Sequence, residues 1–345
     1  MKIKVLDLKE GMILKNPVFS DNKILMEKGQ EITSKSIERL ENYKIGEVEI
    51  LDGKEQELNK IQTEEKVIKE EFEKVYQETR VKAKEVFTKA LNGNVDIKAV
   101  DTMIIDTIAN LEKSKDIFLT LLSMRGEENY LYDHSIKSTI IALSIGKKLG
   151  YDKDQLRLLG KAALLHDVGM FSIDNEIINK KDKLNDKEMQ IIRKHTLDGE
   201  NLLKNEEEIV QLAAKFHHER IDGEGYPNRV KGEELPEIVR IISIADIYTA
   251  LISSREYRDA KDPQEVIAYL MQMSSKQVDT NIVKKLLENM SLFSIGAQVK
   301  LSNGKIAKVV KATDNPFRPI VDTEDERIDL NNKKNSLIYI MRLVV

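Results

Sequence analysis

The sequence predicts a mainly α protein, with an all-helical core in the middle of the chain and a small β-rich module at each end. Apolar residues recur at helical spacing almost without a break from 100 to 290. Residues 1–52 and the last 55 instead show short apolar runs between turn residues. The composition agrees, with 41% hydrophobic and 33% charged residues but only 16 Gly and 6 Pro, the balance of a soluble helix-rich chain. These shifts divide the chain into a β-rich module over 1–54, a helical connector over 55–104, a helical domain over 105–290 and a second β-rich module over 291–345.

In the N-terminal module the runs Ile3–Leu6, Met12–Leu14, Ile24–Met26 and Val48–Leu51 read as strands, with turns at Gly11, Asp21-Asn22 and Gly29. Between them Thr33–Tyr43 has helical spacing, with Ile37 and Leu40 on one face and Thr33 or Ser34 able to cap it. Residues 55–91 turn to Glu and Lys with apolar positions at Phe72, Val75, Tyr76, Val86 and Phe87, the pattern of one long amphipathic helix. It reads first as a connector packed on the next domain. A homodimer through this helix is compatible with the pattern, although no strict heptad supports it. Further helices are expected over Ile104–Leu111, His134–Leu149, Leu156–Leu165, Lys187–His195, Ile209–His218, Ile238–Ser253 and Pro263–Met271. Ala297–Leu301 and Ile306–Val310 flank Ser302-Asn303-Gly304, a strong hairpin signal.

Several classes drop out. The chain has no cysteine, which excludes disulfides, thiolate zinc sites and a cysteine nucleophile; any metal must be held by His, Asp, Glu or water. The N-terminal MKIKVLDLKEG turns acidic at once and does not read as a secretory signal. The longest apolar stretch, Thr139–Ile145, is far too short to span a bilayer, so the cytoplasm is expected and no membrane partner. A net charge of −4 argues against general DNA or RNA binding.

All five histidines, His134, His166, His195, His217 and His218, fall within one quarter of the chain. Chance placement would gather five residues that closely in only about one or two sequences in a hundred. Their settings sharpen the signal. His166-Asp167 ends an apolar helix just before Gly169, and His217-His218 ends another and leads into Glu219-Arg220-Ile221-Asp222-Gly223-Glu224-Gly225-Tyr226-Pro227. Asp246 lies inside an otherwise apolar helix, where a lone carboxylate is costly unless paired or metal-bound. Imidazoles with carboxylates suit iron, manganese or zinc at two neighbouring centres, and two such ions can clamp a phosphodiester and activate water.

At this point a resemblance becomes specific. His166-Asp167 is similar to the doublet of the HD phosphohydrolase superfamily, and the segment from His217 to Pro227 resembles the signature of its HD-GYP subgroup. The order His134, His166-Asp167, His195, His217-His218, Asp246 resembles that family's ligand order and is followed by a similar Arg255-Glu256-Tyr257-Arg258. The resemblance covers about 105–290. The N-terminal Val5–Met12 and the β tail also look like segments that flank such domains. It implies an HD-type helical core and hydrolysis of cyclic di-GMP to pGpG, and on to GMP, by a hydroxide bridging two divalent ions. Iron or manganese come first and zinc is also accommodated. It further implies His134, His166, Asp167, His195, His217, His218 and Asp246 as metal ligands, with Asp167 bridging and Asp167 and His134 catalytic. Arg220, Arg255 and Arg258 would meet the substrate's phosphate or guanine, where Arg suits bidentate contacts. Gly223, Gly225, Tyr226 and Pro227 would shape the loop.

Two positions depart from the pattern. The common motif is His-Asp-x-Gly-Lys, but Met170 follows Gly169 here and offers no cation. Thr249 stands where many members carry a second Asp. Some members bind a third metal with a Glu where this chain has Tyr130, which favours two. The departures leave a second reading, a sensor or adaptor that binds a cyclic dinucleotide with little or no turnover. A third keeps hydrolysis on another nucleotide or phosphate ester, since fold does not fix substrate.

Overall fold

The computed structural model describes the chain apart from residues 21–22, 92–94, 114–120, 122–129, 181, 254–262, 275, 289, 291, 294 and 345. The turn expected at Asp21-Asn22 and the segment Arg255-Glu256-Tyr257-Arg258 therefore lie outside the described residues.

The N-terminal residues pair as two antiparallel ladders, β1 (Lys2–Lys4) with β4 (Glu47–Glu49) and β2 (Val18–Ser20) with β3 (Lys23–Met26). Two expected strands are shorter than the sequence suggests. The run from Ile3 leaves the ladder at Val5, where a 3-10 turn over Val5–Asp7 carries Val5 into the core. Residues Met12–Leu14 make only the isolated bridges Ile13 to Glu31 and Leu14 to Ile50. Helix α1 (Ser34–Asn42) starts where the Thr33 side chain accepts the Ser36 amide, completing a capping box. Leu14, Ile32, Leu40, Val48 and Ile50 form a core of their own.

Helix α2 (Gly53–Leu91) is one continuous run of 39 residues. It packs on the next domain: Phe72, Tyr76, Ala83, Val86 and Phe87 are buried in the same apolar core as the helices that follow. Those are α3 (Ile97–Lys113), α4 (Tyr130–Leu149), α5 (Lys153–Leu165), α6 (Asn175–Ile178), α7 (Asp186–Arg193), α8 (His195–Leu202), α9 (Glu208–Phe216), α10 (Glu237–Ile252), α11 (Pro263–Met273) and α12 (Thr280–Leu287). Helix α4 is buried on every side from Asp133 to Gly146 and packs between α5 and α10. Close approach there uses glycine: a Cβ on Gly160 would sit 2.6 Å from an Ile104 methyl, and one on Gly146 would sit 2.7 Å from Leu159.

The helix expected over Lys187–His195 divides. One helix, capped by Asn185, ends at Arg193, and a second begins at His195. The reason is competition for carbonyls. The His195 ring takes the Ile192 carbonyl at 2.5 Å, and the Thr196 hydroxyl takes that of Arg193 at 3.0 Å. Neither is left to continue the helical ladder.

At the C-terminus β5 (Gln298–Leu301), β6 (Ile306–Lys311), β7 (Ile320–Asp322), β8 (Arg327–Asp329) and β9 (Ile340–Leu343) form an antiparallel sheet in the order β8-β7-β6-β5-β9. The expected hairpin joins β5 and β6, with Gly304 at φ 85°. Buried Val299, Leu301, Val309 and Val321 belong to the helical core. Among the described residues, no helix is long and apolar enough to cross a membrane.

Because Phe87 is fully buried and stacks on Phe171, Phe87→Ala should destabilise the chain by about 3–5 kcal/mol. Urea unfolding checks this; a loss below 1 kcal/mol would return α2 to the status of a linker.

Candidate metal centre

The fold delivers five imidazoles and two carboxylates to one buried point. His134 comes from the second turn of α4, His166 caps the C-terminus of α5 and is followed by Asp167, and His195 opens α8. His217 caps α9, His218 follows it, and Asp246 comes from the middle of α10. His134, His166, His195 and His217 are 3% exposed or less, and Asp167 and Asp246 are 9% and 7% exposed. Two carboxylates this deep are costly unless something neutralises them.

Asp167 divides its two oxygens between opposite sides. Its Oδ1 lies 3.3 Å from both His195 Nε2 and His217 Nε2, and its Oδ2 lies 3.6 Å from His134 Nε2 and His166 Nε2. Asp246 spans the cluster in the same way, with Oδ1 2.9 Å from His134 Nε2 and Oδ2 3.6 Å from His218 Nδ1. Two sets of atoms are thereby compact enough to hold an ion: Asp167, His195, His217 and His218, and His134, His166 and Asp167.

The peptide backbone sets the imidazoles. His166 Nδ1 is 2.7 Å from the Ala163 carbonyl, His195 Nδ1 2.5 Å from that of Ile192, and His217 Nδ1 3.0 Å from those of Ala213 and Ala214. A carbonyl only accepts, so each Nδ1 carries a hydrogen, and each Nε2 faces the centre, where the neutral ring offers its lone pair. That is the form a metal requires. Burial pushes His166 down to about 4 and also lowers His218, which keeps both neutral. Burial alone would raise Asp167 and Asp246, but the surrounding imidazoles hold both well below the usual carboxylate range. His166 Nε2 and Asp167 Oδ1 are buried with no hydrogen-bond partner among the described residues. Lone pairs converging without a donor fit a divalent cation.

The loop after His218 is built on Glu219, which sequence reasoning passed over as one more residue of the motif. Its buried carboxylate accepts the Asn228 amide at 2.6 Å and the Val230 amide at 3.1 Å, closing the loop on itself. Gly223 needs its φ of 77°, and a Cβ on Gly225 would lie 2.5 Å from Glu219 Cα. The Tyr226 ring stacks on His218 at 4.7 Å and precedes Pro227 through a cis peptide. Arg193, also unforeseen, lies 5.1 Å from the centre of that ring. Ser243 on α10 donates to the His217 carbonyl at 2.6 Å. Arg220 is paired with Asp222 in the same loop, while Arg255 and Arg258 lie outside the described residues. Gly169 lets the chain after Asp167 press against α8, where a Cβ would fall 2.0 Å from the His195 carbonyl oxygen. Met170 follows, half-buried, and Thr249 is fully buried one turn beyond Asp246, its hydroxyl without a partner among the described residues. The Tyr130 hydroxyl sits 3.3 Å from His134 Nδ1.

A helical domain that gathers histidines and aspartates from successive helix ends around one buried point defines a class of metal-site proteins. The comparisons say which one. Residues 117–282 match the HD domain family. Cyclic di-GMP phosphodiesterase PA4108 of Pseudomonas aeruginosa is 27% identical over 222 residues, 62% of this chain and 53% of that protein. The cyclic di-GMP phosphodiesterase response regulator RpfG of Xanthomonas campestris is 34% identical over 151 residues, 43% of this chain and 40% of that one. A 3′3′-cGAMP-specific phosphodiesterase 2 of Vibrio cholerae is 34% identical over 148 residues, 42% of this chain and 28% of that one. The chain thus spans about half or less of the length of the relatives it matches. Among solved structures, Bd1817, a HDG"Y"P protein from Bdellovibrio bacteriovorus, superposes with a TM-score of 0.53 at 17% identity, over 83% of this chain and 97% of that one. The match to the HD domain family thus spans the residues that carry His134, His166, Asp167, His195, His217, His218 and Asp246.

Two outcomes follow from this geometry. Asp167→Asn should weaken Mn²⁺ binding by both sets of ligands at once, read by calorimetric titration; loss confined to one set would remove Asp167 from the shared position. Glu219→Gln should speed amide exchange at Asn228 and Val230 by about 10- to 100-fold, the worth of hydrogen bonds to a charged acceptor.

Proposed function

We propose that this chain is a metal-dependent phosphodiesterase that opens cyclic di-GMP to pGpG, with GMP as a further product. The observation that carries the reading is the placement of Asp167, whose two oxygens face two different imidazole sets. In this reading His134, His166, Asp167, His195, His217, His218 and Asp246 hold two divalent ions, iron or manganese first and zinc as an alternative. Bound ions of this kind supply Lewis acidity and ready deprotonation of water at neutral pH. Water delivers an oxygen to phosphorus, and the 3′-oxygen leaves as a hydroxyl after taking up a proton. His134 and Asp167 are the catalytic pair, with His134 held through Asp246. Arg220, Arg255 and Arg258 meet phosphate or guanine, and Gly223, Gly225, Tyr226 and Pro227 shape the loop after His218. The names of the relatives from Pseudomonas and Xanthomonas support cyclic di-GMP. The reading also takes the cytoplasm as its setting and a homodimer through α2 as a partner, the latter resting on exposed Val67 and Val81 two heptads apart.

A second reading, binding without appreciable turnover, is favoured by Met170 in place of a cation and by the unpartnered hydroxyl of Thr249. One experiment separates the two. The chain loaded with Mn²⁺, or anaerobically with Fe²⁺, is given cyclic di-GMP and the products are resolved by chromatography. Linear pGpG is expected, and Met170→Lys should raise the rate about 100- to 1,000-fold, the usual worth of one donor aimed at the charge of the transition state. A metal-replete chain that binds the nucleotide, leaves it intact and gains nothing from Met170→Lys overturns the hydrolase reading in favour of the binder.

A further inference from the structure

We propose that Arg80 and Tyr76 of α2 are positioning residues for His134, acting through Asp133, and that α2 thereby sets the half of the centre formed by His134 and His166. The inference rests on the two-ion reading above and adds residues that lie outside its ligand set.

Asp133 immediately precedes His134 and is buried. A carboxylate at that depth needs cations and donors: Lys137, one turn further along α4, adds a charge to it, and α2 supplies a guanidinium and a hydroxyl. Arg80 Nε lies 2.6 Å from Oδ1, its Nη2 donates to Oδ2 at 3.3 Å, and the Tyr76 hydroxyl donates to Oδ1 at 3.2 Å. Arg80 and Tyr76 lie four residues apart on α2, so both reach the carboxylate from one face. A guanidinium fork engaging both oxygens fixes the direction of the carboxylate as well as its distance. With Asp133 held in direction, the first turns of α4 are held in rotation, and rotation of α4 decides where His134 Nε2 points. That atom now points at Asp246 Oδ1, 2.9 Å away.

A second contact of α2 reaches the other ligand of the same half. Two turns beyond Arg80, Phe87 stacks on Phe171, with ring centres 4.5 Å apart and planes 14° apart, and meets Tyr132 at 5.8 Å. Tyr132 precedes Asp133, and Phe171 lies in the 3-10 segment that leaves His166-Asp167. Tyr132 and Phe171 themselves touch at 5.0 Å. One face of α2 therefore grips the chain just before His134 and just after Asp167. Coordination tolerates displacements of only about 0.2 Å, so a contact at this remove can decide whether an ion is held.

A merely stabilising pair would lower the folded population and leave the two halves equal, which the test exploits. The full chain and its Arg80→Gln variant are loaded with Mn²⁺. Ion content is measured after dialysis, and electron paramagnetic resonance distinguishes a coupled Mn²⁺ pair from an isolated ion. At equal helical content by circular dichroism, Arg80→Gln is expected to hold its second ion at least 10-fold more weakly, to hold the first within about 2-fold, and to turn the coupled signal into an isolated one. Arg80→Lys, which restores charge without the fork, should fall between. Two ions bound as in the unaltered chain, or equal weakening of both, overturns the proposal. If Arg80→Gln does not fold, Tyr76→Phe removes only the donor and must show the same imbalance on a smaller scale, or the proposal fails. An unaltered chain that binds fewer than two ions instead defeats the two-ion reading, a result distinct from failure of the positioning.

Discussion

The structure is organised around one electrostatic problem, the Asp167 carboxylate set deep among the helices. Its oxygens face opposite ways, so neighbours must be assembled on both, and each neighbour comes from a different helix. The helix boundaries follow from that demand. Helix α5 stops at the residue before His166, α8 begins at His195, and α9 stops at the residue before His217. Glycine at 169 allows the connection after Asp167 to lie against the His195 carbonyl, an approach any side chain would block.

Helix ends serve this purpose because their last carbonyls lack intrahelical partners. His166 and His217 each use such a carbonyl to hold Nδ1, so satisfying the backbone and orienting the ring are one act. His195 does the same at the break between α7 and α8. The buried middle of α4 and the apolar run of α10 then supply a rigid frame from which His134 and Asp246 approach from the other side.

Much of this was legible in the sequence because the informative residues are rare types in local patterns. Five histidines in one window, a His-Asp doublet at an apolar helix end and a lone Asp inside an apolar helix are all visible without knowing what meets what. The Ser302–Gly304 hairpin and the Thr33 cap are equally local. The contacts between distant residues were not legible. Arg80 and Asp133 are 53 residues apart, and nothing in either neighbourhood announces the pairing. The same holds for Phe87 on Phe171: the packing of α2 on the next domain was legible, its particular partner was not. The division between α7 and α8 escaped because the helical period continues through it and only the carbonyl competition of His195 and Thr196 breaks it. Glu219 was hidden differently: within a motif read for metal chemistry, its role is to hold backbone amides.

The unpartnered lone pairs of His166 Nε2 and Asp167 Oδ1 bear on more than chemistry. A chain that folds without an ion must leave them stranded, and a stranded buried polar atom typically costs about 1–3 kcal/mol. Any cation that fills the gap favours the folded chain by mass action, by about 2.7 kcal/mol when its free concentration is a hundred times its dissociation constant. Conformational stability and metal supply are then one thermodynamic variable.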